Sequence, residues 1–184
     1  LLVPNGSPYY RNKYDRRVAL MVARVIETKL PLVYLNMVGA QDDQVFDGAS
    51  FVLNPKGELA AQFPAFDEHV AHVEFHKGGS GWSAVRTDLE PLPDAWEMDY
   101  RAMVEGLRDY TAKSGIRKLV LGLSGGIDSA LVAAIAVDAL GADNLRCVML
   151  PSRHTSDASL DDAAAVARAL GCRLDDLSIE GPRG

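Results

Sequence analysis

The chain has 184 residues, 48% of them hydrophobic, and a formal net charge of −6 at pH 7, enough apolar material for one ordinary domain or parts of two. An acidic balance with a pI near 5.2 lacks the clustered Lys and Arg of a nucleic-acid footprint or a polybasic membrane surface, so neither partner is expected. The longest apolar stretch, 130–140, is interrupted by Asp138 and falls short of the roughly 20 residues of a membrane span.

Cys147 and Cys172 show no framework spacing, which points to a reducing, cytoplasmic compartment. The chain opens without Met inside an apolar run, Leu1-Leu2-Val3-Pro4, as a piece of a longer polypeptide would.

Residues 14–30 place Val18, Met21, Val22, Val25, Ile26 and Leu30 at helical spacing, predicting a helix that Pro31 stops. Strands are expected over 32–38 and 49–53. A turn at Asn54-Pro55-Lys56-Gly57 then leads into a strand over 58–63. The run 69–75 reads as a last strand. On it His69 and His72 face opposite sides and His72 and His76 the same one, the pattern of a solvated strand rather than a metal site. From Lys77 to about Leu92 the character changes, with Gly78-Gly79-Ser80-Gly81 and then Pro91 and Pro93. The predicted organisation is a first domain over 1–77, a linker over 78–94 and a second domain over 95–184.

The second half alternates. A helix over 95–114 is closed by Gly115, a strand spans 118–123, and a helix over 127–140 is closed by Gly141. A strand over 145–150 follows, then a helix opening at Ser159 with Asp162 three positions on and closed by Gly171, then a strand over 174–179. Strand-helix-strand alternation predicts a doubly wound parallel sheet, with ligands at the carboxyl ends of its strands. The loops after Leu123 and Leu150 are therefore where chemistry is expected.

The first of these loops is Gly122-Leu123-Ser124-Gly125-Gly126-Ile127-Asp128-Ser129. Adjacent glycines let backbone N–H groups approach a ligand, and a helix amino end favours an anion, so a phosphate or pyrophosphate is the natural guest. Ser124 and Ser129 can donate to its oxygens. Asp128 would repel the anion unless a bridging Mg2+ reverses the sign, which makes it a candidate metal ligand. A Walker loop is excluded because Ile127 and Asp128 stand where its Lys would be. Gly122-Leu-Ser-Gly-Gly126 also satisfies the Gly-x-Ser-x-Gly nucleophile elbow, so an esterase with Ser124 as nucleophile stays open. A tight turn without a ligand is the plainest alternative.

Ser124-Gly-Gly-Ile-Asp-Ser129 resembles the SGGxDS loop of the ATP-pyrophosphatases. The flanks, Arg108-Asp109-Tyr110, Lys113-Ser-Gly115, Met149-Leu-Pro-Ser-Arg-His-Thr-Ser156 and Ser159-Leu-Asp-Asp162, resemble the NAD synthetases among them. Val3-Pro-Asn-Gly-Ser-Pro-Tyr-Tyr10, Lys13, Arg16-Arg17 and Val45-Phe-Asp-Gly-Ala-Ser-Phe-Val52 resemble the carboxyl-terminal half of a nitrilase-type glutaminase, the domain that glutamine-dependent NAD synthetases fuse ahead of the synthetase.

The resemblance implies an α/β fold: the end of a nitrilase-like sandwich, then the first part of an adenine nucleotide alpha hydrolase-like sheet. It implies ATP and Mg2+ at Leu123, Ser124, Gly125, Gly126, Ile127, Asp128, Ser129 and Met149, with the metal on Asp128, and glutamine at Ser7 and Lys13. The implied reaction amidates nicotinic acid adenine dinucleotide through an adenylate, with ammonia from glutamine, in a homo-oligomer. The glutaminase nucleophile of such proteins lies upstream of Leu1, and the loop 151–156 is expected to close over the nucleotide. Another ATP-pyrophosphatase amide ligase and an inactive nucleotide or glutamine sensor are the competing functions.

Overall fold

The computed structural model describes residues 1–87, 89–151 and 155–177. The chain divides into two compact units, Leu1–Gly106 and Leu107–Gly184.

The first unit is built on a four-stranded sheet in the order β1-β2-β5-β6. Its strands are β1 (Leu2–Asn5), β2 (Leu32–Asn36), β5 (Phe51–Leu53) and β6 (Leu59–Gln62). β1 and β2 are parallel, while the other pairings are antiparallel. Alternation along the strands sorts the side chains between two faces. Leu32, Tyr34, Phe51 and Leu53 pack on α1 (Lys13–Thr28) around the fully buried Val25, with Tyr34 stacked on Phe51 at 4.9 Å between ring centroids. Val33 and Val52 face the other way, towards Ala60, Ala61 and Ala84. The helix ends with Lys29 in the left-handed region (φ 57) and its N–H on the Val25 carbonyl, so the chain has left the helix before Pro31 is reached.

Two hairpins complete this unit: β3 (Val38–Gln41) with β4 (Gln44–Asp47), and β7 (Phe75–Gly78) with β8 (Gly81–Ala84). The second corrects the sequence reading twice. Residues 69–74 form no strand, and the stretch expected as permissive linker carries a strand instead. Gly81 takes φ +108 at the turn, and Ala84 is buried against Val52 and Ala61. The three histidines consequently do not share a strand. Asp94 starts α2 (Ala95–Lys113) by accepting from the N–H groups of Trp96 and Glu97, both at 2.9 Å, an N-cap. The division between the units falls inside α2, at Gly106.

The second unit is a three-stranded parallel sheet in the order β11-β10-β9, made of β9 (Leu119–Gly122), β10 (Leu145–Met149) and β11 (Arg173–Asp176). Helices α3 (Ile127–Leu140) and α4 (Asp157–Leu170) make the crossovers, so the parallel strand-helix alternation expected from the sequence is present, with the three strands in sequential order. Its core joins Leu123, Ala133, Ala136, Leu145, Cys147, Ala163 and Ala167; the alanines let helices lie close to the sheet. α4 opens two residues earlier than expected: Ser156, not Ser159, is its N-cap and accepts from the Ser159 N–H at 3.2 Å.

The most deeply buried charges lie in the first unit. Arg17 and Asp47 form an ion pair at 2.7 Å with 3% and 1% of their side chains exposed. A pair so placed costs more to break than to keep, because removing one partner strands the other charge. Asp47→Ala should lower the unfolding free energy of this unit by about 3–5 kcal/mol, read from urea denaturation, whereas an exposed pair such as Arg24–Glu27 should cost under about 1 kcal/mol.

Candidate active site

The loop Leu123–Ser129 leaves the carboxyl end of β9 and enters α3. Gly125 takes φ +78, a conformation that glycine adopts without strain. A Cβ there would overlap the backbone of Ser159, lying 2.9 Å from its Cα and carbonyl carbon and closer still to its oxygen. Only glycine therefore allows the first turn of α4 to lie directly on the loop.

The two serines stitch the loop to itself. Ser129 donates its hydroxyl to the Gly126 carbonyl at 2.9 Å and accepts from the Ser124 N–H at 3.2 Å. Its contact with Ser124 Oγ at 3.0 Å then has Ser124 as donor, and Ser124 Oγ accepts from the Gly126 N–H at 3.3 Å. Both hydroxyl hydrogens are thus used inside the loop. What remains for an anion is the amino end of α3. Gly126 precedes it in extended conformation with no side chain to cap it, and the first-turn N–H groups have no intrahelical acceptor.

Beside the loop lies a cavity of about 330 Å3 at the carboxyl ends of β9 and β10, within the usual range for small-ligand sites. Gly122, Leu123 and Ser124 form one side, Met149 to Pro151 the next, and Thr155 and Ser159 the side towards α4. Of the residues expected to bind nucleotide, Leu123, Ser124 and Met149 line it. Gly125, Gly126, Ile127, Asp128 and Ser129 form the loop and helix start next to it. Thr155, Ser159 and Leu160 line it too; the first falls in the loop expected to close over the nucleotide and the other two in a flank that carries the resemblance, but none was named as a ligand contact from the sequence. The signal that could have found them is their position just after β10, in the second of the loops that a parallel sheet places at the same end. Ser152, Arg153 and His154 lie outside the described residues, and with them half of the loop 151–156 expected to close over the nucleotide.

Asp128 is exposed in the first turn of α3. Among the described residues no group of three His, Cys, Asp or Glu could hold a metal ion. One carboxylate at a phosphate-binding helix end suits Mg2+, which takes most of its oxygens from phosphates and water; it does not suit an all-protein metal cage.

The nucleophile-elbow alternative loses its geometry. The left-handed residue is Gly125, whereas Ser124 is not among the positive-φ residues. The described partners of the Ser124 hydroxyl are Ser129 and Gly126, neither of them a base. Cys147 is no substitute nucleophile either: it has no exposed surface, and burial, with Cys172 beside it, pushes its thiol up to about 11.

In the first unit, Ser7 is buried in a polar network with Arg17, Asn36 and Asp47. Lys13 opens α1 half-buried, its ammonium 4.3 Å from the centre of the Tyr10 ring. Between these residues, Tyr9 donates to Asp99 at 2.6 Å and Arg11 pairs with the same carboxylate. The Arg11 pairing is the largest of the influences that hold the Asp99 carboxyl below its ordinary range.

Residues 99–183 match the family model described as NAD synthase. The chain is 65% identical to a glutamine-dependent NAD(+) synthetase of Rhodobacter capsulatus over 183 residues, all of this chain and 33% of that protein. It is 44% identical to one of Xylella fastidiosa over 180 residues, again 33% of that protein. The structure of a glutamine-dependent NAD+ synthetase from Acinetobacter baumannii in complex with adenosine diphosphate aligns with a TM-score of 0.91 at 41% identity, covering 97% of this chain and 34% of that one. The chain spans about a third of the length of the curated relatives it matches.

The closeness of Gly125 to Ser159 makes a direct test possible. Gly125→Ala should leave β9, β10 and β11 folded, displace α4 from the loop, and weaken binding of an adenine nucleotide at least about tenfold, a loss of about 1.4 kcal/mol. Unchanged affinity by calorimetry would refute the role assigned to this contact.

Proposed function

We propose that this chain, whose residues 99–183 match the NAD synthase family model, supplies the ATP-binding loop of a glutamine-dependent NAD synthetase. One observation carries the reading: a glycine-enforced loop and an uncapped helix amino end beside a cavity of about 330 Å3 at the carboxyl ends of two parallel strands. The adenosine diphosphate in the Acinetobacter baumannii relative is a ligand of the chemistry such a site takes.

On this reading the N–H groups at the start of α3 hold the β and γ phosphates of ATP, and the nucleoside lies in the cavity against Leu123 and Met149. The nicotinate carboxylate of nicotinic acid adenine dinucleotide attacks the α phosphorus. The bond to the bridging oxygen breaks, and pyrophosphate leaves with the charge that the helix amino end stabilises. Ammonia then attacks the activated carbonyl, AMP departs, and a proton is lost to give the amide. Asp128 is the residue that would hold Mg2+, which supplies charge neutralisation on the phosphate oxygens. Ser124 and Ser129 keep the loop in shape rather than donating to the phosphates.

Ahead of the synthetase part, the first part of the chain is the closing part of a nitrilase-like glutaminase, which extends past residue 77 to include β8. Ser7 and Lys13 contact glutamine there. The covalent nucleophile is neither Cys147 nor Cys172. The enzyme works in the cytoplasm as a homo-oligomer on small-molecule substrates.

The test is the longer enzyme that contains this chain, assayed with nicotinic acid adenine dinucleotide, Mg2+-ATP and either glutamine or ammonia. The expected products are NAD, AMP and pyrophosphate in equal amounts, and Asp128→Ala should cut turnover at least about a hundredfold, as losing a group that acts on developing charge does. Formation of ADP in place of AMP, or full activity of Asp128→Ala, would contradict the assignment.

A further inference from the structure

Ser7 is held by side chains that the reaction scheme does not use. The carboxamide of Asn36, at the end of β2, grips its backbone from both sides. Asn36 Oδ1 accepts from the Ser7 N–H at 2.8 Å, and Asn36 Nδ2 donates to the Ser7 carbonyl at 3.2 Å and to Asp47 Oδ1 at 3.4 Å. Arg17, on α1, reaches the same residue with two nitrogens: Nη2 donates to the Ser7 carbonyl at 2.7 Å and Nε to the Ser7 hydroxyl oxygen at 3.2 Å. Asp47 holds Arg17 in place through both carboxylate oxygens, at 2.7 and 2.9 Å. Ser7, Arg17, Asn36 and Asp47 are all at most 7% exposed, so this is a network in low dielectric, where satisfied hydrogen bonds are strong and specify one arrangement.

The chemistry of Arg17 decides which way the Ser7 hydroxyl works. A guanidinium has donors only. It occupies a lone pair of Ser7 Oγ and cannot accept the hydroxyl hydrogen, and the positive charge beside the oxygen makes that hydrogen a better donor.

We propose that Arg17 and Asn36 are positioning residues for amide-substrate recognition: they fix Ser7 so that its hydroxyl faces a ligand as a hydrogen-bond donor, suited to a carbonyl or carboxylate oxygen of glutamine. The proposal rests on the reading of Ser7 as a glutamine contact and goes beyond it by assigning the direction of the bond and the residues that set it. Arg17 and Asn36 do not touch the substrate; they act through Ser7.

The experiment uses the longer enzyme with three substitutions, each assayed with glutamine and separately with ammonia. Asn36→Leu keeps the volume and removes both grips on the Ser7 backbone. Arg17→Lys keeps the charge beside Asp47 but not the fork that reaches Ser7. Both should raise the KM for glutamine about tenfold, the size of one hydrogen bond's worth of affinity, while kcat at saturating glutamine and ammonia-supported turnover stay within about threefold. Ser7→Ala should raise the glutamine KM at least as much.

A glutamine KM unchanged in Asn36→Leu and Arg17→Lys but raised in Ser7→Ala would overturn the positioning role and leave the glutamine reading standing. A KM unchanged in Ser7→Ala would overturn both. A collapse of kcat together with a lowered melting temperature in Asn36→Leu and in Arg17→Lys would show that the network serves only folding, and would overturn the proposal as well.

Discussion

The site in the second unit depends on one close approach, the backbone of Ser159 against Gly125. A side chain at position 125 would push α4 away from the loop. With α4 goes the cavity side formed by Thr155, Ser159 and Leu160. The same residue has positive φ, so sterics and backbone conformation demand glycine independently. Everything assigned to the loop follows from this: the serines close it internally, the amino end of α3 stays open, and the carboxyl ends of β9 and β10 provide the room beside it.

The two units hold their candidate ligand segments by opposite means. The loop at Ser124 is fixed by backbone contact and short hydroxyl bonds near the surface, which suits a charged guest that must come and go with its counter-ion. The segment at Ser7 is fixed by a buried guanidinium, carboxylate and carboxamide, where the desolvation of two charges is offset only if every bond is made. The next turns of that segment are tied differently again. Tyr9 and Arg11 meet Asp99 at the start of α2, and the Arg11 guanidinium also lies 4.5 Å over the Trp96 ring.

What the sequence announced best were the elements bounded by glycine. α3 runs from Ile127 to Leu140 as expected, because Gly126 and Gly141 mark both ends without ambiguity. The parallel sheet was legible from alternation alone. The run 69–75 misled because His69, Val70 and Val73 imitate a strand pattern, yet Val70 is 98% exposed and nothing pairs with it there. The glycines at 78–81 serve a hairpin turn as well as they would a linker, and composition does not distinguish the two. Ser159 with Asp162 looked like a capping box, but Ser156 stands one turn earlier and caps first. The network around Arg17 was not readable at all: an arginine on a helix and an aspartate 30 residues on, at the end of the β3–β4 hairpin, become partners only in the folded unit. The candidate loop itself was legible residue by residue, whereas the inward use of Ser124 and Ser129 was not, since a hydroxyl beside glycines serves a ligand or the loop equally well on paper.

The most direct measurement is a calorimetric titration of this chain with Mg2+-ATP, repeated in the presence of pyrophosphate. Saturable one-to-one binding that pyrophosphate displaces, and that Mg2+ alone does not reproduce, is the result the proposed function predicts, since on that proposal the helix amino end would hold the phosphates and Asp128 would hold a metal only in their company. Binding unaffected by pyrophosphate, or no binding by chain whose folding is verified by circular dichroism, would contradict the assignment of the Ser124–Ser129 loop as a phosphate site.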